Sequence, residues 1–216
     1  MTYAHTVPRP RSLALDDVAV AALAVIDRDG LGSLSMRAVA VELGMGTMSL
    51  YRYVESREQL EDLVVDRVTA AVDPVVSSRA SWSTRVTTLA VRVRDAIGDH
   101  PAVVPLLLTR RHRTFGSLAW GEAVLAALAD GGLRGRARTI AFRAVLAYVL
   151  GAVQAEHLGS LSGPGTAAIA DLPPDRYPHL VDAAGHAASI SADDEFVGGL
   201  DLLLRGMGAT PARRRS

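Results

Sequence analysis

The chain has 216 residues, 49% hydrophobic and 21% charged, which is the composition of a folded protein able to bury roughly 70% of its unfolded surface and excludes a disordered one. Its 23 basic residues are all arginine and are balanced by 23 acidic ones, so nucleic acid could be bound only through local placement of charge, not through a global excess. The absence of Lys and Cys excludes Schiff-base and thiolate catalysis, P-loops, disulfides, iron–sulfur clusters and Cys-based zinc sites.

At the N-terminus Arg9 and Arg11 precede an apolar stretch, but Asp16 and Asp17 interrupt it where a signal peptide needs its apolar segment, so no export signal is expected. Val18, Ala21, Ala22, Val25 and Ile26 recur at helical spacing and predict a first helix over residues 15–30. Ser35 is suited to cap a second helix whose apolar positions 36, 39, 40 and 43 share one face, and Gly44 supplies the left-handed residue that stops it. A third helix over residues 47–53 follows at once. Ser56 and Gln59 form a capping box for a fourth helix that starts at Arg57 and ends at Asp73-Pro74. Ser81 caps a helix reaching Gly98, and others are expected over residues 101–109, 115–129, 134–157 and 193–206. Residues 159–178, with Gly163-Pro164-Gly165 and Pro173-Pro174, are expected to form a long flexible connection. Strand-type alternation is sustained nowhere, so the expected fold is all-α. The longest unbroken apolar run, residues 144–153, is well short of the roughly 20 residues that cross a bilayer. A cytoplasmic protein with no membrane partner is expected.

Residues 35–53 carry the packing logic of a helix-turn-helix, with small Ala40 where two helices cross, Gly44 in the turn, and Leu50 plugging the second helix onto the first. That second helix would present Thr47, Met48, Ser49 and Arg52 outward with Tyr51 and Tyr53 beside them, side chains suited to phosphates and major-groove base edges. Arg57 at a helix N-terminus adds its charge to free N–H groups and the dipole, making an anion site suited to one DNA phosphate. The plainer reading is an ordinary pair of short helices with half-buried tyrosines. Gly30, residues 34–37, Ala40, Leu43-Gly44, residues 50–54 and Arg57-Glu58-Gln59-Leu60 together resemble the TetR family of transcriptional regulators over about a quarter of the chain. The resemblance implies a DNA-binding domain over residues 1–73 and a helical ligand-binding and dimerisation domain over residues 74–216. It also implies that Arg37, Thr47, Ser49, Tyr51, Tyr53 and Arg57 contact DNA, chiefly its backbone, and that Met48 and Arg52 read bases. Gly46 stands where many members have an N-capping Ser or Thr, and Arg57 replaces the usual Lys. Residues 1–72 hold seven Arg against ten acidic residues, so specificity must come from placement.

In the C-terminal two-thirds, the helix over 134–157 is apolar almost all round, and Phe196, Val197, Leu200, Leu202, Leu203, Leu204 and Met207 spread too widely for one core face. Such helices either pair with their copies in a homodimer or form the centre of a monomeric bundle. Residues 82–128 resemble the ligand-binding domain of the tetracycline-repressor branch, which implies a small-molecule pocket. Its candidate residues are His100, Leu107, Arg110, Phe115, Trp120, Tyr148, Gln154 and His157, each with a core or solvated-loop alternative. No counterpart is found for the histidine and carboxylate that hold magnesium-tetracycline in that branch. Glu156-His157 point about 100° apart on a helix and the six His are scattered, so no catalytic residue, metal or cofactor is expected. The arginines at 213–215 read as a disordered end. The expected protein is a homodimeric regulator, most simply a repressor, released from a double-stranded pseudo-palindromic operator by a small-molecule effector. The alternative is an all-α small-molecule binding protein without sequence-specific DNA binding.

Overall fold

Eleven α-helices and two 3-10 turns make up the secondary structure of residues 13–158 and 163–208, the part of the chain that the computed structural model describes. Arg9, Arg11 and the arginines at 213–215 lie outside those residues. Among the described residues there is no strand, in keeping with the all-α expectation.

Helix α1 (Leu15–Asp29) buries Val18, Ala21, Ala22, Val25 and Ile26 along the stripe that the spacing predicts. A 3-10 turn (Leu31–Ser33) leads into α2 (Met36–Glu42), where the Ser35 hydroxyl accepts the Ala38 N–H at 3.1 Å. Gly44 takes φ +65°, the left-handed conformation that only glycine adopts without strain, and the chain turns there into α3 (Thr47–Leu50). This helix is shorter than the seven residues expected. Gly46 offers its N-terminus no side-chain cap, and beyond Leu50 the Arg52 and Tyr53 amides bond three residues back, to Ser49 and Leu50, so the helix tightens into turns. Helix α4 (Arg57–Ala70) begins at the expected cap: the Ser56 hydroxyl accepts from the Gln59 N–H, while the Gln59 side chain reaches back to the Glu55 N–H at 2.7 Å.

Helix α5 (Trp82–Gly98) starts at Ser81 as predicted, and the single helix expected over 101–109 divides into a 3-10 turn (Pro101–Val103) and α6 (Val104–Arg110). Then follow α7 (Phe115–Asp130), α8 (Gly135–Leu158), α9 (Pro164–Ala170), α10 (Pro178–Ala187) and α11 (Ala192–Gly208). The flexible connection expected over 159–178 is therefore corrected: α9 lies inside it and α10 begins at its end. Pro164 and Pro178 start helices rather than break them, because the first helical position needs no N–H. Neither helix carries a core stripe. They pack on each other and bury only Ala184, so apolar periodicity could not disclose them.

One continuous apolar cluster runs from Val18 to Leu204. Helix α4 packs on α1 and on α5, α6 and α7, while α8 packs on α5, α7 and α11. By length and composition α8 could cross a membrane, but it buries Ala141, Val145, Val149 and Val153 against those neighbours. Ile140, Ala147 and Gly151 on α8, and Gly198 and Leu202 on α11, remain uncovered, Leu202 being 72% exposed.

Candidate nucleic-acid interface and ligand cavity

Two buried residues hold the short α3 in place, Leu50 and the following Val54, both without exposed surface. Docking by Leu50 leaves Met48 80% exposed and Tyr51 and Arg52 on the surface, with Thr47 and Ser49 partly exposed. Tyr53 is half-buried and packs against the core, while Arg37 is exposed on α2. The eight residues expected at DNA therefore fall within α2, α3, the turn after it, and the first residue of α4.

Which arginines are free is decided by the ion pairs. Arg28 is held by Asp29 and Glu42, Arg67 by Asp16, and Arg57 by Glu61 at 3.0 Å. Arg37 and Arg52 make no ion pair among the described residues. The Arg57 guanidinium is thus not the free anion hook that a bare helix N-terminus suggests, since it also donates to the Leu31 carbonyl. The other Glu61 oxygen takes Arg110 of α6 at 2.6 Å, and Arg110 further binds Asp62 at 2.9 Å, with Arg113 on the second Asp62 oxygen. Burial alone would lower the Arg110 pKa, but its hydrogen bonds to Asp62 and Glu61 outweigh that and raise it. At the start of α4, Glu58 is held below the usual carboxylate range by its own backbone N–H and then by the Ser56 hydroxyl. It therefore stays ionised to lower pH than an ordinary glutamate.

At its other end α4 lines a small apolar cavity of about 50 Å³ through Val68 and Thr69, joined by Val72 just beyond the helix. Leu107 from α6, Trp120 from α7 and Phe142 from α8 complete most of its wall, and Arg111 stands at the end of α6. The Trp120 indole N–H donates to the Leu89 carbonyl at 2.9 Å, and its ring tilts 47° against Phe142 at 6.0 Å between centroids.

The start of α7 lies hard against α4 here: a Cβ on Gly116 would sit 2.7 Å from the Thr69 carbonyl oxygen and from its hydroxyl. Gly116→Ala should push α7 off α4 and lower stability by about 1–3 kcal/mol. A thermal unfolding curve indistinguishable from that of the unsubstituted protein would show that the two helices separate without cost.

Leu107 and Trp120 are the two sequence candidates brought to this cavity. His100 Nδ1 lies 2.8 Å from the Asp27 carboxylate and ties the 3-10 turn before α6 to α1. Arg110 is committed to Glu61 and Asp62, and Gln154 donates to the Pro101 carbonyl at 3.0 Å. Phe115 is 83% exposed and His157 lies on the surface at the end of α8. Tyr148 lies in a separate groove between α8 and α11, its hydroxyl donating to the Phe196 carbonyl at 2.8 Å. Sequence reasoning missed Val68, Val72 and Phe142, because a cavity-lining apolar residue has the same helical spacing as a core one.

Residues 19–62 match the bacterial regulatory proteins of the tetR family, and residues 76–210 match the tetracyclin repressor-like C-terminal domain. An HTH-type transcriptional regulator of Saccharopolyspora erythraea is 37% identical over 145 residues, which are 67% of this chain and 61% of that one. The HTH-type transcriptional repressor DrrR1 of Streptomyces coeruleorubidus is 34% identical over 150 residues, 69% of this chain and 55% of its own. The match thus spans rather more than half the length of these relatives. Among solved structures, the Streptomyces coelicolor TetR family protein ActR in complex with (S)-DNPA superposes with a TM-score of 0.79 at 27% identity, covering 92% of this chain and 98% of that one.

Proposed function

The chain belongs to the TetR family of bacterial regulatory proteins, and on that premise we propose that it is a transcriptional repressor that leaves its operator when a small molecule binds. One observation carries the reading: α4 bears Arg57 at its first turn and lines the cavity at its last. A ligand in the cavity therefore presses on the same rigid element that positions the DNA-binding residues. Residues 1–73 bind DNA and residues 74–216 bind ligand and dimerise. Arg37 and Arg52, free of carboxylates, supply the principal charge, while Met48 and Arg52 face the bases and Thr47, Ser49, Tyr51, Tyr53 and Arg57 the backbone. The uncovered apolar faces of α8 and α11 pair across a twofold axis, giving the two recognition helices that a palindromic site needs. An effector that binds better to a conformation with the two α3 helices wrongly spaced shifts the population off DNA. The ActR complex named above shows that a relative of this architecture takes a small molecule. The protein works by binding, in the cytoplasm, and not by catalysis.

Arg37→Ala should weaken DNA binding about tenfold across sequences and reduce the magnitude of the salt slope by about one unit, as loss of one phosphate contact does. Gel shifts over a salt series measure both. If the unsubstituted protein gives no sequence-selective shift on the DNA upstream of its own gene, the reading as a regulator falls.

A further inference from the structure

We propose that Glu61 controls DNA affinity in this protein: its carboxylate competes with a DNA phosphate for Arg57, and Arg110 of α6 competes with Arg57 for the carboxylate. The proposal rests on the reading that Arg57 faces the DNA backbone. Glu61 lies one turn into α4, and each of its oxygens has a guanidinium of its own. Oε1 accepts from Arg57 Nε at 3.0 Å, and Oε2 accepts from Arg110 Nε at 2.6 Å. The two pairs are unequal. Arg110 and Glu61 are each only 14% exposed, and Arg110 is locked on its other side by Asp62, which Arg113 holds in turn. Arg57 is 45% exposed, has the longer bond, and is otherwise tied only by a contact of 3.4 Å to the Leu31 carbonyl.

Solvent screens the exposed pair more than the enclosed one, so Arg57 is the partner that yields. A phosphate arriving at the start of α4 takes Arg57 and leaves Glu61 to Arg110. Because Arg110 still neutralises it, Glu61 does not become an enclosed charge without a partner, and the exchange avoids that large penalty. The reverse holds when α6 draws away from α4 and takes Arg110 with it. The whole Glu61 charge then falls on Arg57, holding that guanidinium harder and repelling the phosphate that would replace it. A displacement of α6 thereby lowers DNA affinity through one carboxylate, without any change in the spacing of the recognition helices. Arg110 is in this sense a positioning residue, acting on DNA only through Glu61.

The test is a set of gel shifts over a salt series, on the DNA upstream of the protein's own gene and on an unrelated duplex of equal length. Glu61→Gln keeps the shape of the side chain and removes its charge. It should tighten binding about fivefold on both duplexes, the worth of one partly exposed ion pair, and steepen the salt slope by about one unit. Arg110→Gln should weaken binding by about the same factor, and should have no effect once Glu61 is replaced by Gln. In an Arg57→Gln background, Glu61→Gln should no longer steepen the slope. A Glu61→Gln variant that binds no more tightly than the unsubstituted protein overturns the proposal. So does a loss in Arg110→Gln that persists alongside Glu61→Gln, which is what a merely structural role for Arg110 would give. Either result leaves the regulator reading standing while the unsubstituted protein still selects the upstream DNA. Absence of that selection removes the regulator reading itself, and this proposal with it.

Discussion

Leu50→Ala should abolish sequence-selective DNA binding and lower stability by about 2–5 kcal/mol. Helix α3 spans four residues, Thr47–Leu50, far below the length at which a helix holds itself together in water. It exists because Leu50, wholly buried, anchors it in the apolar cluster that also holds Val39, Ala40 and Val54. Truncating that side chain opens a cavity under the element that carries Met48 and Arg52, and the helix loses its orientation along with its burial free energy. Thermal unfolding reads the stability and gel shifts read the affinity. A variant that melts lower yet still selects its operator would show that Leu50 supports the domain but does not aim the helix.

Phe196→Ala should cost about 3–5 kcal/mol and dissociate the proposed dimer. The ring is 1% exposed, lies 5.5 Å from the Tyr148 ring, and carries the Arg94 guanidinium over its face at 4.8 Å. Arg94 in turn binds Glu156 of α8 at 2.9 Å and Asp193 of α11 at 2.7 Å. Removing the ring frees α11 from α8 on the apolar side and uncovers a guanidinium whose ion pairs bridge the same two helices. Since the proposed dimer is built from these helices, unfolding should become strongly dependent on protein concentration and light scattering should report a monomer. Undiminished dimer mass at low micromolar concentration would exclude α11 as a dimer element.

How much of this was legible beforehand depends on whether the determining interactions are local. The caps at Ser35, Ser56 and Ser81 and the stop at Gly44 were readable because each involves residues within a few positions of one another. The recognition segment was readable because Ala40, Gly44 and Leu50 combine a tight turn with close helix contact, and few residue types satisfy both. The α9–α10 hairpin was hidden because it buries almost nothing, and burial is what leaves a periodic mark. Of the eight ligand candidates, Leu107 and Trp120 lie on the cavity. Polar and aromatic residues such as His100 and Tyr148 look alike in sequence whether they face a ligand or, as here, bond to Asp27 and to the Phe196 carbonyl.

Equal numbers of basic and acidic residues say only that any DNA contact must be made by charges placed with care. By itself the sequence determined the all-α fold, the helix-turn-helix and the identity of the residues on its exposed side, because helix periodicity and capping are short-range. Tertiary structure decided which of those charges are available. Arg28 and Arg67 are drawn to Glu42 and Asp16, carboxylates that helix packing brings alongside them, and Arg57 to Glu61 one turn on in its own helix, while Arg37 and Arg52 are left open. It also decided that α4 joins the DNA face to the cavity, with Glu61 shared between Arg57 in its own helix and Arg110, 49 positions further along the chain. Ion pairing weakens with distance, so between helices it depends on where packing sets them, and no spacing along the chain encodes that distance.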